Sequence, residues 1–140
     1  MRSFKIDYTF GKKNEDTVLS QIQKFFTDDG IIKKSEDTYS KYDFKSDTYI
    51  YELKTRTCKY RTYATTIIPY DKIVENTKQI FLFDFIDGLY FIEYNKDEFS
   101  KFDLSDFQRH KREDYNDIRK LYFHIPIKKL KKIDTTHILI

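Results

Sequence analysis

The chain has 140 residues, within the usual range of about 100 to 200 for one domain, and its 13 Phe, 12 Tyr, 3 Gly and 2 Pro supply large apolar side chains for a core. That excludes disorder as the main state. Its 26 Lys plus Arg stand against 23 Asp plus Glu, so the net charge of +3 excludes a histone-like polycation and leaves room for a localised basic face.

A stretch with apolar residues at every second position (Phe4, Ile6, Tyr8, Phe10) opens the chain, Gly11 interrupts it, and Asn14 stands where a helix N-cap belongs. Val18, Leu19, Ile22, Phe25 and Phe26 then follow helical spacing, and Asp28, Asp29 and Gly30 end that helix. Short β-like runs at 31–34, 39–44 and 49–57, with 45–48 as a tight polar connection, predict a three-stranded antiparallel meander. Pro69, Asp71, Ile73 and Val74 read as the start of a second helix reaching about Lys78. The apolar run 79–85 and residues 89–94, joined by Asp87 and Gly88, read as two strands. Phe99 and Phe102 suggest a short helical or irregular piece, 108–117 a charged loop and 121–125 a further strand before the Lys-rich IKKLKK segment.

The lone Cys58 has no partner for a disulfide, which favours a reducing compartment. The longest apolar runs, 80–83 and 89–92, fall far short of the about 18 to 20 residues that span a bilayer. A soluble, intracellular, cytoplasmic protein without a membrane partner is expected.

The segment with chemical promise is the hairpin around residues 42–54. If its connection has two or four residues, Asp43 lies opposite Ile50, and strand alternation puts Asp43, Ile50, Glu52 and Lys54 on one face. Asp43 and Glu52 are then diagonal neighbours, with Cβ atoms roughly 7 Å apart, within reach of one cation. Two carboxylates can hold a hard ion such as Mg²⁺ while leaving positions for a water and a phosphate oxygen. Lys54 beside them would orient or help deprotonate that water and stabilise developing negative charge. Glu15, early in the first helix, would approach as a water-mediated ligand. Acidic-x-Lys triplets are common in so charged a chain, and Asp43-Phe44-Lys45 is a second one, so the weight rests on strand parity and element order.

With GKKNE on the first helix, YDF ending one strand and ELKTR on the next, residues 11–94 resemble the core of the PD-(D/E)XK nuclease superfamily, which includes restriction endonucleases and Holliday junction resolvases. The resemblance implies an α/β (α+β) fold with a restriction-endonuclease-like αβββαβ core, a mixed sheet flanked by helices, within a single domain 1–140 that carries a C-terminal extension at 95–140. It implies Asp43, Glu52, Lys54 and Glu15 as catalytic positions, Asp43, Glu52 and Leu53 as metal positions, and Mg²⁺ or Mn²⁺ as cofactor. The implied activity is hydrolysis of DNA, duplex or branched, by a homodimer; the alternative is a catalytically inactive nucleic-acid-binding or protein-interaction module on the same fold. Tyr42 stands where the motif has proline, and the spacing from Asp43 to Glu52 is short. The stretches YELKTRT, IIPYDKI, FIDGLYFIEY and residues 112–118 are also similar to uncharacterised proteins of large DNA viruses, which implies the host cytoplasm for a virus-encoded chain.

Arg56, Arg61, Arg109, Lys111 and Arg112 are the candidate phosphate contacts, with Arg56 favoured because alternation places it on the Glu52 and Lys54 face. A solvated charged surface is the plainer account of the basic clusters, which also include 128–132. Tyrosines 39, 42, 49, 51, 60, 63 and 70 are candidates for base stacking, and more simply are good strand residues. His110, His124 and His137 lack metal-ligand spacing, and Gly11, Gly30 and Gly88 are too dispersed for a phosphate loop.

Overall fold

A computed structural model describes residues 4–36, 42–106 and 121–134, with side chains in the first helix from Glu15 onward. Helix α1 runs over Phe4–Phe25 and passes straight through Gly11 and Asn14. The expected early alternation and the N-cap at Asn14 are thus corrected: positions 4, 6, 8 and 10 also contain i,i+4 spacings, so a period of two over so short a run equally suits a helix. A 3₁₀ turn, Thr27–Asp29, ends at Gly30, whose φ of 71° lies in the left-handed region that glycine occupies at little cost.

Strands β1 (Lys33–Lys34), β2 (Phe44–Lys45) and β3 (Tyr49–Thr55) form the expected antiparallel meander. The expected helix after Pro69 is absent. Residues 65–69 carry a β-branched run that forms strand β4 (Thr65–Pro69), Pro69 itself is extended with ψ of 136°, and only a 3₁₀ turn, Tyr70–Lys72, follows. Strands β5 (Lys78–Phe85) and β6 (Gly88–Glu93) match expectation. A four-residue helix α2 (Lys96–Phe99), capped by the Asn95 side chain, precedes β7 (Asp103–Asp106), a strand without an apolar signature. Then come β8 (Leu121–Pro126) and, within the Lys-rich segment, a 3₁₀ turn and β9 (Lys131–Lys132). The proposed charged loop at 108–117 lies outside the described residues.

The strands make two sheets. The larger has the order β1-β2-β3-β5-β6-β9 and is mixed, because β3 and β5 run parallel while its other pairs are antiparallel. The smaller has the order β4-β8-β7. Both edges of the large sheet are two-residue Lys-Lys strands, short and charged in the manner that discourages edge-to-edge association.

Alternation along β5 explains the layering. Ile80 and Leu82 join Val18 and Ile22 of α1, with Phe44 and Tyr51, in one core; Phe81, Phe83 and Phe85 join Ile68, Phe123 and Ile125 of the small sheet in another. The fold is therefore mixed α+β, with the large sheet covered by α1 on one face and by the small sheet on the other, in place of helices on both faces.

Candidate functional site

Strand β3 alternates across these two faces. Tyr49, Tyr51 and Leu53 belong to the α1 side, so Ile50, Glu52, Lys54 and Arg56 are directed toward the side of the small sheet. The expected shared face of Ile50, Glu52 and Lys54 follows from this pattern. Glu52 is 7% exposed, unusual for a carboxylate. Lys54 Nζ lies 3.4 Å from Glu52 Oε1, and Lys72 Nζ, arriving from the crossover between β3 and β5, lies 3.3 Å from the same oxygen. Burial holds the Glu52 carboxyl above its usual range; the neighbouring Asp43 charge adds to this, and the two ammonium groups oppose it.

Asp43 takes a different place from the one the expected register suggested. The hairpin pairs Phe44 with Tyr51 and Lys45 with Ile50, a shift of two from the expected register, which preserves strand parity. Asp43 then directs its N–H to the carbonyl of Tyr51 at 2.8 Å, so Asp43 and Phe44 share one partner in β3, the arrangement of a β-bulge. Its carboxylate Oδ2 accepts the Leu53 N–H at 2.7 Å. The bulge therefore lays the Asp43 carboxylate along β3 at the level of Glu52, near enough for its charge to act there.

Glu15 is on α1, which packs against the opposite face, and among the described residues no group of three or more His, Cys, Asp or Glu converges. Among the described residues Asp43 is the carboxylate whose charge acts on Glu52. As hard oxygen donors the two fit Mg²⁺ or Mn²⁺ in kind and in charge, with water completing the ion's shell.

Arg56 has a structural role that spacing did not reveal. Its Nε donates to Thr66 Oγ1 at 3.1 Å, its Nη2 donates to the Ile67 carbonyl at 2.6 Å, and its guanidinium lies 5.7 Å from the centre of the Phe83 ring. It ties β4 to the end of β3. Arg61 is exposed and lines a cleft of about 470 Å³ with Lys59, Tyr60, Asp87 and Tyr90. Arg109, Lys111 and Arg112 lie outside the described residues, as do His110, His137 and Tyr39.

Several of the tyrosines serve packing and internal hydrogen bonds. Tyr60 stacks on Tyr90 at 4.0 Å, and Tyr49 donates to Glu93 at 2.5 Å, a bond that with burial pushes its phenol up to about 12. Tyr51 donates to the buried Asp29, and its phenol is raised chiefly by burial. Among the described tyrosines, Tyr63 and Tyr70 are the exposed ones, at 66% and 54%. His124 Nε2 is 3.0 Å from Ser105 Oγ, and Cys58 is a half-buried free thiol.

Two site residues escaped the sequence reading. Lys72 had no signal, being one lysine in a turn. Gln79 did have one: it is a polar residue inside the apolar run QIFLFDF. It is 2% exposed, donates through Nε2 to the Lys72 carbonyl at 2.9 Å and accepts the Val74 N–H at 2.8 Å, clamping the loop that carries Lys72.

Among the described residues no helix is long and apolar enough to cross a membrane. No family model matches the chain, and neither a curated protein nor a solved structure does.

Proposed function

We propose that the chain is a metal-dependent nuclease of the PD-(D/E)XK type, hydrolysing a DNA phosphodiester by an activated water. The observation that carries this reading is the placement of Lys54 Nζ 3.4 Å from the buried Glu52 carboxylate, with Asp43 held alongside by its bond to Leu53 N–H. The order of a helix, a three-stranded meander and a parallel fourth strand supports a restriction-endonuclease-like core, with β4 and a 3₁₀ turn standing where that pattern has its second helix.

In this reading Asp43 and Glu52 hold the cation. A bound Mg²⁺ or Mn²⁺ supplies an acidified water and neutralises phosphate charge. The Leu53 N–H fixes the Asp43 carboxylate, burial holds Glu52 in one orientation, and the Lys54 ammonium orients the water and stabilises charge on the pentavalent phosphorus. Arg61 is the described candidate for a phosphate contact. Cutting both strands of a duplex or a branched substrate with one such site per chain calls for a two-fold homodimer.

The test is cleavage of supercoiled and branched DNA in Mg²⁺ or Mn²⁺. Glu52→Ala and Lys54→Ala are expected to lose cutting while keeping the circular dichroism of the parent. Parental cleavage rates in both variants would remove the mechanism.

A second reading has its own support. Both lysines contact Glu52 and the Arg56 guanidinium is occupied by β4, which is how a catalytically silent nucleic-acid-binding or interaction module would look. Calorimetric titration with Mn²⁺ separates the two, since the silent module binds no metal at this pair and cuts no nucleic acid at any pH.

A further inference from the structure

We infer that Lys72 is an internal counter-ion that holds the place of the divalent cation on Glu52 and is displaced when the cation binds. The inference rests on the nuclease reading of Asp43, Glu52 and Lys54. It starts from charge: two carboxylates in one partly buried spot need compensating positive charge, and Lys54 balances only one of them. Lys72 brings the second, 3.3 Å from Glu52 Oε1, and it comes from a different element than Lys54 does.

Its position is set by construction. Lys72 sits on a 3₁₀ turn of three residues, too short to hold itself. Gln79 does the holding, with both ends of its buried amide bonded to the loop backbone, one on each side of Ile73. A buried amide is costly unless both ends are bonded, and here both bonds go to the segment that aims Lys72. The Lys72 side chain is 31% exposed, so its ammonium has a path to solvent that the Glu52 carboxylate lacks.

Asp43, Glu52, Lys54 and Lys72 together are near neutral. An arriving divalent cation makes the site doubly positive, and that excess is relieved when Lys72 swings out or a phosphate arrives. Metal and phosphate-bearing substrate therefore favour each other's binding, and Lys72 lowers affinity for the metal alone.

The experiment is calorimetric titration of the full chain with Mn²⁺ and no DNA, comparing parent, Lys72→Met, Lys72→Arg and Gln79→Leu. Lys72→Met is expected to bind Mn²⁺ about fivefold more tightly, the scale of one partly exposed ion pair, and Lys72→Arg to bind as the parent does. Gln79→Leu keeps the lysine but frees its loop, so it is expected to tighten Mn²⁺ binding by a smaller factor, and it decides the matter if Lys72→Met fails to fold. Parent-like or weaker Mn²⁺ binding in Lys72→Met, or in Gln79→Leu where Lys72→Met does not fold, overturns the counter-ion role while leaving the metal site standing. Absence of Mn²⁺ binding in the parent and every variant overturns the nuclease reading, and this inference with it.

Discussion

The carboxylate of Asp43 accepts the backbone N–H of Leu53 at 2.7 Å, so a side chain bonds β3 immediately after Glu52. One group thus does two things: it completes the backbone bonding of β3 past the bulge, and it sets a negative charge beside a second carboxylate.

These two roles separate by substitution. Asp43→Asn keeps a carbonyl acceptor for Leu53 and is expected to retain parental stability within about 0.5 kcal/mol, whereas Asp43→Ala strands the N–H and is expected to cost about 1 kcal/mol. On the proposed mechanism both lose cleavage. Urea unfolding alongside a cleavage assay checks the pair; equal stability of the two variants would contradict the role of the bond.

Glu52→Gln is expected to raise the melting temperature at pH 7 while abolishing cleavage. The Glu52 carboxyl is raised by burial, so its protonated form is favoured in the folded state. The sign follows: the stabilisation is fully present below the unfolded value, near 4.5, and is lost as pH rises through the folded value. The advantage of Glu52→Gln over the parent should therefore be largest near neutrality and shrink as the pH falls into the carboxylate range. Melting curves across that range measure it.

Arg56→Ala is expected to destabilise the fold by about 1–3 kcal/mol, because Thr66 Oγ1, on a buried residue, and the Ile67 carbonyl both lose a charged donor. Arg56→Lys should recover little, since one ammonium cannot reproduce a fork that serves two acceptors. A variant that folds with parental stability and loses only DNA affinity would instead make Arg56 a phosphate contact.

Tyr51→Phe is expected to cost about 1–3 kcal/mol in urea unfolding. Asp29 is 8% exposed and its Oδ2 takes the Tyr51 hydroxyl and, at 2.5 Å, the Ser46 hydroxyl, while Oδ1 has no partner among the described residues. Removing the phenol oxygen leaves that buried charge with Ser46 alone. Ser46→Ala should act in the same direction and also loosen the hairpin turn, whose Thr48 and Tyr49 N–H groups the Ser46 oxygen accepts.

The meander, β5, β6 and the facing of Glu52 with Lys54 were legible in the chain because they depend on local period and on parity, which survive a register shift of two. The second helix was misread because Pro69 and Asp71 are start signals for a helix only when the backbone turns into the α region there, and in this chain β4 pairs with β8, fifty-five residues downstream, as Ile68 opposite Phe123. Strand β7 escaped for the same reason, since its residues DLSD acquire a strand partner only through β8.

The sequence by itself determined that one compact, charge-balanced chain would carry an acidic residue and a lysine on one side of a central strand, because composition and side-chain alternation are properties of the local chain. Only the tertiary structure decided what surrounds them. The bulge that turns Asp43 into a partner for Leu53, the crossover that brings Lys72 to Glu52, the buried Gln79 that holds it and the bonds that draw Arg56 into the fold all join residues of different elements or loops. No local period encodes such meetings; they arise when long-range strand pairing and the burial of two apolar faces fix where each segment ends.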